Sequence, residues 1–268
     1  MPRNMPDKIA LALVVSIFML SFYAAWMAGE STAHEIILEF PREAEIGEEI
    51  SIDITYGHFP DEYDPGHSFY DELENGELKV IEPDGSEEEL DFTRGEETYH
   101  ADYTPAAEGI YWFTFTSTRP VVDRVDDGEG RQLRYYDAKA PLLVESEGGA
   151  LAIPATDLQV EVVSEGEINN YAGEDISLQV KYGDEPAADQ SLTFVGPGEQ
   201  AQTETTDEEG MFTFSPDEEG LWFLHISNLT DREQEGEFRG EEYDRVRYNS
   251  ALYLEIEEEK GFFESIFN

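Results

Sequence analysis

Apolar and polar residues alternate with a period of two through most of the chain beyond its N-terminal segment. The pattern is clear in the runs "EISIDITYG", "YWFTFTS", "ISLQVKYG" and "LWFLHIS". A period of two is typical of strands that bury one face, and clusters of Gly, Pro and Asp separate the runs at intervals typical of β-sandwiches. The pattern therefore predicts an all-β protein.

The strand motifs occur twice in the same order. "GEEISIDITYGH", from Gly47, matches "GEDISLQVKYGD", from Gly173, and "TPAAEGIYWFTF", from Thr104, matches "SPDEEGLWFLHI", from Ser215. The repeat predicts two tandem immunoglobulin-like β-sandwiches. The first copy is about fifteen residues longer, and because insertions into surface loops cost little stability, we expect a loop at 57–77 that is dispensable for folding.

These patterns divide the chain into five expected segments. They are a signal peptide or membrane anchor at 1–33, a first sandwich with its inserted loop at 34–147, a linker at 148–154, a second sandwich at 155–258, and a short apolar tail at 259–268.

The N-terminal segment has the features of a secretory signal. Arg3 and Lys8 precede an apolar run, 9–28, and small residues end the segment at Ala33. Cleavage after Ala33 would make His34 the first residue of the mature chain. The apolar run is also long enough to span a bilayer, so an uncleaved, membrane-associated anchor is the alternative. Both interpretations place the remainder outside the cytoplasm, in the periplasm or at the cell surface.

The charge of the chain restricts its partners. It has 62 acidic and 16 basic residues, a net charge of −46, and no cysteine. Nucleic acid is excluded as a partner because its phosphates would be repelled. The acids are spread through both copies, which favours adaptation to strong brine over an acidic cation sponge, since salt screens self-repulsion.

Histidines supply the candidate chemistry. His34 begins the first expected strand and His58 ends the second, so an antiparallel pairing would bring them to the same end of the sheet. The inserted loop adds His67, Asp61 and Glu62. A mature N-terminal histidine offers an amine and an imidazole together, and such nitrogen and oxygen ligands suit Ni(II), Co(II), Cu(II) or Zn(II).

Other residues give weaker signals. His67 is open to the alternative of simple solvation, while His100 and His225 alternate with strand residues and are expected to be structural. Trp112 and Trp222 occupy equivalent repeat positions and are expected in the core. Neither "GxSxG", "HExxH" nor a Gly-rich phosphate loop occurs, so we do not expect an enzyme.

Four motifs together resemble a known family. "AHEIILEFP", "GEEISIDITYGHFPDE", "EGIYWFTF" and "YYDAKAPLLVE" are similar, in order and spacing, to extracytoplasmic components of nickel or cobalt uptake systems, many of which are known only as a domain of unknown function. The resemblance implies that His34 and His58 take the positions of the family's two histidines. His67 and the acids of the inserted loop match no motif of that family.

The sequence therefore predicts a protein that binds a divalent transition metal, with nickel or cobalt favoured, and delivers it to membrane transporter subunits. A periplasmic copper carrier is the first alternative, because copper binds such ligands more tightly. A metal-free surface module of tandem sandwiches, acting as spacer or adhesin, is the second.

Overall fold

The computed structural model describes residues 34–59, 62–146, 150–197 and 201–258, with the backbone alone at positions 62 and 228. The expected signal or anchor segment, the expected tail and Asp61 lie outside these residues. Within the described ranges, no helix has the length and apolar character needed to cross a membrane.

The described residues of the first half form ten strands. In chain order these are β1 (Glu35–Glu39), β2 (Glu43–Ala44), β3 (Ile50–His58), β4 (Glu62–Tyr63), β5 (Glu77–Ile81), β6 (Glu87–Leu90), β7 (Thr93–Arg94), β8 (Tyr99–Tyr103), β9 (Gly109–Arg124) and β10 (Gly130–Val144). Two short 3-10 helices, Tyr70–Asn75 and Val125–Asp127, accompany them.

The second half contributes twelve further strands. These are β11 (Leu151–Ala152), β12 (Val160–Val163), β13 (Glu167–Ile168), β14 (Ile176–Tyr182), β15 (Glu185–Pro186), β16 (Ser191–Val195), β17 (Ala201–Thr205), β18 (Met211–Phe214), β19 (Gly220–Asp231), β20 (Gly236–Phe238), β21 (Glu241–Tyr243) and β22 (Arg245–Ile256).

A nine-stranded sheet runs through both halves. Its order is β17-β16-β19-β22-β10-β9-β5-β6, with β2 added beside β10. A five-stranded sheet, β1-β3-β8-β7 with β4 beside β3, belongs to the first half, and a four-stranded sheet, β12-β14-β15 with β18 beside β14, belongs to the second. The prediction of an all-β sandwich fold is confirmed.

The two halves join through the pairing of β10 with β22. These strands lie parallel, with Gln132 opposite Arg245 and Lys139 opposite Leu252. The central strands are buried on both faces, and alternate residues serve two different cores: Phe113 and Tyr253 pack in the first, Trp112 and Leu254 in the second. The two halves are therefore not separate sandwiches joined only by a linker, because the nine-stranded sheet contributes side chains to both cores.

Trp112 and Trp222 are core residues, as their repeat positions predict. Trp112 is 3% exposed and Trp222 is 2% exposed. Both nevertheless belong to the core of the second half, although Trp112 comes from the first repeat. Because consecutive residues of a strand point to opposite faces, Trp112 faces away from the core that its neighbour Phe113 fills.

Two expected surface segments contain buried residues. Within the inserted loop, Phe69, Tyr70 and Leu73 are almost completely inaccessible, so the expectation of a purely superficial loop is wrong for its second part. Within the expected linker, Leu151 and Ile153 are buried in the second core, and β11 pairs with β13. In both places a few apolar side chains extend the core beyond the strands that the periodicity identifies.

Candidate metal centre

His34 and His58 lie side by side at one end of the first half. Strands β1 and β3 are antiparallel with Glu35 opposite Gly57, which brings the residues just beyond this pair together. The centroids of the two imidazole rings are 4.1 Å apart, with an angle of 51° between the ring planes. The adjacency that strand pairing predicts is confirmed, whereas the role of these residues as ligands stays a prediction.

His67 reaches the same place from the inserted segment. Its ring centroid lies 4.8 Å from that of His34. The backbone amide of Phe69 donates a hydrogen bond to Nδ1 of His67 at 3.0 Å, so the neutral ring carries its proton on Nε2. Burial lowers the pKa of His67, with the positive charge of Arg119 and then His34 adding to the effect and Asp64 opposing it.

That hydrogen bond restricts what His67 can do. To bind a metal through Nε2, neutral imidazole needs its proton on Nδ1, where the Phe69 amide already donates. Coordination by His67 therefore requires the turn to release the amide. In the observed arrangement His67 acts as a cap of its own turn and as an aromatic neighbour of His34.

Asp64 is the carboxylate nearest to the histidines among the described side chains. Its Oδ2 lies 3.2 Å from Nε2 of His34. The Asp64 amide donates to the carbonyl of Tyr56 at 2.8 Å, which fixes the loop against β3. Sequence reasoning placed Asp64 in the inserted loop but favoured Asp61 and Glu62, since a choice among acids in so acidic a segment needs the loop conformation.

The other two predicted acids are less defined. Asp61 lies outside the described residues. Glu62 is described by its backbone alone, which pairs with His58 in β4. Both therefore stay predictions as metal ligands.

Tyr56 forms the floor of the histidine cluster, by which we mean His34, His58 and His67. Its ring centroid lies 5.1 Å from that of His34 and 5.0 Å from that of His67. Tyr56 is buried, and burial raises its pKa, with the neighbouring Tyr136 adding to the effect. A neutral phenol beneath the imidazoles gives the cluster an apolar, rigid base.

Beneath the cluster, Glu35 forms a buried ion pair with His225 of β19. Oε2 of Glu35 lies 2.6 Å from Nε2 of His225, and both side chains are at most 2% exposed. Neither the other oxygen of Glu35 nor Nε2 of His225 has a well-directed hydrogen bond among the described residues, so the two side chains meet as a close contact of polar groups. The pair holds the start of β1 against the second half and supports the structural role expected for His225.

His100 lies away from the cluster, on β8. It forms an ion pair with Asp53 of β3 near the surface. This arrangement agrees with the structural role expected for His100.

The cluster contains the right donor atoms but is not arranged as a finished metal site. Within the described ranges, no group of three or more His, Asp or Glu side chains could hold a metal ion as it stands. The rings pack against one another, whereas two imidazole nitrogens on one ion would each lie about 2.0–2.1 Å from it. Ring centroids 4.1 Å apart nevertheless place the two imidazoles close enough for a nitrogen of each to reach one ion after rotation of the side chains.

A family model described as "Domain of unknown function (DUF4198)" matches residues 31–230. Among curated proteins no match was found. The matched segment begins just before His34 and includes the whole histidine cluster.

Several solved structures share a general likeness at low similarity. A DUF4785 family protein from Legionella pneumophila has 13% identity and a TM-score of 0.29, over 71% of this chain and 51% of that one. Salmonella alpha-2-macroglobulin has 12% identity and a TM-score of 0.25, over 84% of this chain and 15% of that one. SGBP-B from Bacteroides ovatus has 12% identity and a TM-score of 0.19, over 81% and 45%. The chain spans about half or less of these proteins, and scores this low carry no functional argument.

Proposed function

We propose that this chain, which belongs to the DUF4198 family, binds a divalent transition metal outside the cytoplasm and passes it to membrane transporter subunits. Nickel or cobalt is the favoured ion. One observation carries the proposal: of the five histidines of the chain, His58 and His67 have ring centroids 4.1 and 4.8 Å from that of His34, and His34 also lies beside a carboxylate.

The ligands we assign are the amine and imidazole of His34 and the imidazole of His58, with the carboxylate of Asp64 completing the set. Asp64 already lies 3.2 Å from His34, and a hard oxygen ligand beside imidazole suits a divalent ion of the first transition series. The net charge of −46 favours the approach of any cation. Asp61, Glu62 and His67 are further candidates from the same segment.

The test is a titration of metal-free protein that begins at His34 with Ni(II), Co(II) and Cu(II), in separate calorimetric experiments. We expect one ion per chain and release of protons, because amine and imidazole coordinate only when deprotonated. Addition of one alanine before His34 moves the amine away and keeps the imidazole, and it should weaken binding at least tenfold. His58→Ala should weaken binding to a similar extent.

The matched control is His100→Ala. His100 is also a partly exposed histidine paired with an aspartate, but it lies outside the cluster, so its removal should leave the affinity unchanged. Equal binding by the alanine-extended and unextended proteins would contradict the amine ligand. Absence of binding by all three ions would favour the metal-free surface module, and a preference for Cu(II) far beyond the ordinary order of stability would favour the copper carrier.

A further inference from the structure

Three arginines stand side by side across the middle of the nine-stranded sheet. In the strand register, Arg134 of β10 is opposite Arg119 of β9 on one side and opposite Arg247 of β22 on the other. Neighbouring strands lie about 4.8 Å apart, so the three guanidinium groups can act on one ligand. We call these residues the arginine row.

The row faces the same side of the sheet as the histidine cluster. Arg134 lies two residues before Tyr136, whose ring centroid is 5.7 Å from that of Tyr56. Residues two apart on a strand share a face and are separated by about 7 Å. Burial raises the pKa of Tyr56 and lowers that of His67, and the positive charge of Arg119 opposes the first change and adds to the second, which agrees with this placement.

Among the side chains that the structure describes, the arginine row forms no ion pair, although the protein has 62 acidic residues and 16 basic ones. Within the described residues, no carboxylate lies within 4 Å of Arg119, Arg134 or Arg247. Arg134 donates instead to Oε1 of Gln132 at 2.9 and 2.7 Å, and the buried Nε of Arg247 has no hydrogen-bond partner there. Five other arginines do form ion pairs with acids: Arg94, Arg124, Arg131, Arg239 and Arg245.

The acid whose charge acts on Arg247 already has other partners. Glu129 favours the charged form of Arg247, but its carboxylate accepts a hydrogen bond from Gln132 at 3.2 Å and lies 3.9 Å from Arg124. Burial lowers the pKa of Arg247, and the positive charge of Arg134 is the next cause. Like charges opposite each other destabilise a sheet, so this row costs stability that a bound anion would offset.

Two β-bulges flank the row. One lies in β9 directly after Arg119, where Pro120 and Val121 stand against the single residue Leu133. The other interrupts the pairing of β19 with β22 between Ile226 and Leu229. Bulges bend a strand and redirect its side chains, and they are frequent beside binding sites.

We propose that the arginine row binds a small oxyanion, either a carboxylate or a phosphate. The planar guanidinium fork matches both groups, since each presents two oxygens to paired N–H donors. This site is distinct from the histidine cluster, and the proposal stands whether or not the cluster binds metal.

The test uses metal-free protein at constant KCl concentration, titrated separately with citrate and with inorganic phosphate. We expect saturable binding of one anion per chain and a rise of the thermal midpoint with anion concentration, because a ligand that binds only the folded state stabilises it. Tighter binding of citrate would assign the site to carboxylates, and tighter binding of phosphate would assign it to phosphate groups.

Arg119→Gln and Arg247→Gln should each weaken binding at least tenfold and should raise the thermal midpoint of the anion-free protein, since each relieves repulsion. A purely structural role would instead lower that midpoint. The matched control is Arg245→Gln, on the same strand, whose guanidinium already pairs with Asp244 at 2.9 Å. Failure of the unaltered protein to bind either anion, or an equal loss in the Arg245→Gln variant, would overturn the proposal.

Discussion

Asp137 is an acidic side chain placed where charge is unfavourable. It lies on β10, only 4% exposed, and accepts a hydrogen bond from Oγ1 of Thr116 at 2.6 Å. Burial raises its pKa from 3.8 to about 7, which the hydrogen bond only partly opposes. The folded state therefore holds a proton on Asp137 at mildly acidic pH and loses it near neutrality.

This shift predicts a specific pH dependence. Because the folded pKa exceeds the unfolded value, the folded state binds more protons between about pH 4 and pH 7, and the contribution of Asp137 to stability is lost as pH rises through that window. Asp137→Asn keeps an acceptor for Thr116 and cannot ionise. The free energy of unfolding of this variant, relative to the unaltered protein, should therefore rise by up to about 4 kcal/mol between pH 4 and pH 8. Parallel denaturant titrations across this range measure the difference, and a constant difference would contradict the assignment.

Lys139, in the motif "YYDAKAPLLVE", has a structural role. Its Nζ donates to Oε2 of Glu161 at 2.7 Å and to the carbonyl of Pro154 at 2.9 Å, and both charged side chains are at most 4% exposed. Burial lowers the pKa of Lys139, while Glu161 opposes the effect. The pair joins β10 to β12 across the second core.

Removal of one partner of the Lys139–Glu161 ion pair should destabilise the fold far more than removal of both. Glu161→Leu leaves a buried, unpaired ammonium group and should destabilise the fold by about 3–5 kcal/mol, whereas the double variant Lys139→Met/Glu161→Leu should recover most of that loss. A residual deficit of about 1 kcal/mol is expected because the Thr156 amide, which donates to Glu161 at 2.9 Å, loses its acceptor. Urea unfolding of the two variants and of the unaltered protein tests this, and a double variant no more stable than Glu161→Leu would refute it.

Single residues were predictable from sequence where local pairing determines their position. The connection of residues 40–49 lets β3 return beside β1 in the antiparallel direction, which places His34 beside His58. The arginine row has no such local signal. Arg119 and Arg247 both lie opposite Arg134 only because of the register of strands that are far apart in the sequence. No short sequence pattern predicts that register.

At the scale of elements, the 3-10 helix Tyr70–Asn75 is part of the first core. Tyr70 is 1% exposed and Leu73 is fully buried, while Phe69, just before the helix, contacts Tyr56 and Tyr136. The segment therefore supports the floor of the histidine cluster. The longer first repeat predicts an insertion here, but six residues of 3-10 helix are too few to give a periodic pattern, so the burial could not be predicted from the sequence.

Leu73→Ala should destabilise the protein by about 2–5 kcal/mol, because it leaves a cavity in a packed core. The neighbouring exposed residue supplies the control, and Glu74→Ala should change the free energy of unfolding by less than about 0.5 kcal/mol. Urea denaturation of both variants measures these values. Equal, small effects would show that the segment packs only loosely.

At the scale of the whole molecule, the charge of −46 is the dominant property. Self-repulsion among exposed acids opposes the compact state, and the distance over which it acts shrinks from about 10 Å at 0.1 M salt to about 3 Å at 1 M. Adaptation to brine stays a prediction that rests on this charge.

The thermal midpoint should rise steeply as KCl increases from about 0.1 M to about 2 M, since screening removes most of the repulsion. Sucrose is a suitable control, because it stabilises by exclusion from the surface and does not screen charge. Calorimetry in both series separates the two effects. A midpoint that does not change with KCl would contradict adaptation to brine.

The parallel pairing of β10 with β22 also has a consequence for biosynthesis. Synthesis of a protein proceeds from its N-terminus, so β10 exists long before its partner strand at residues 245–256 has been made. Until then β10 is an open edge in what becomes the centre of the sheet, with apolar side chains such as Leu142 and Leu143 still uncovered, and it is able to pair with another chain. Of the strands that the structure describes, the one that closes this edge is the last to be synthesised, and incomplete chains are accordingly those most exposed to aggregation.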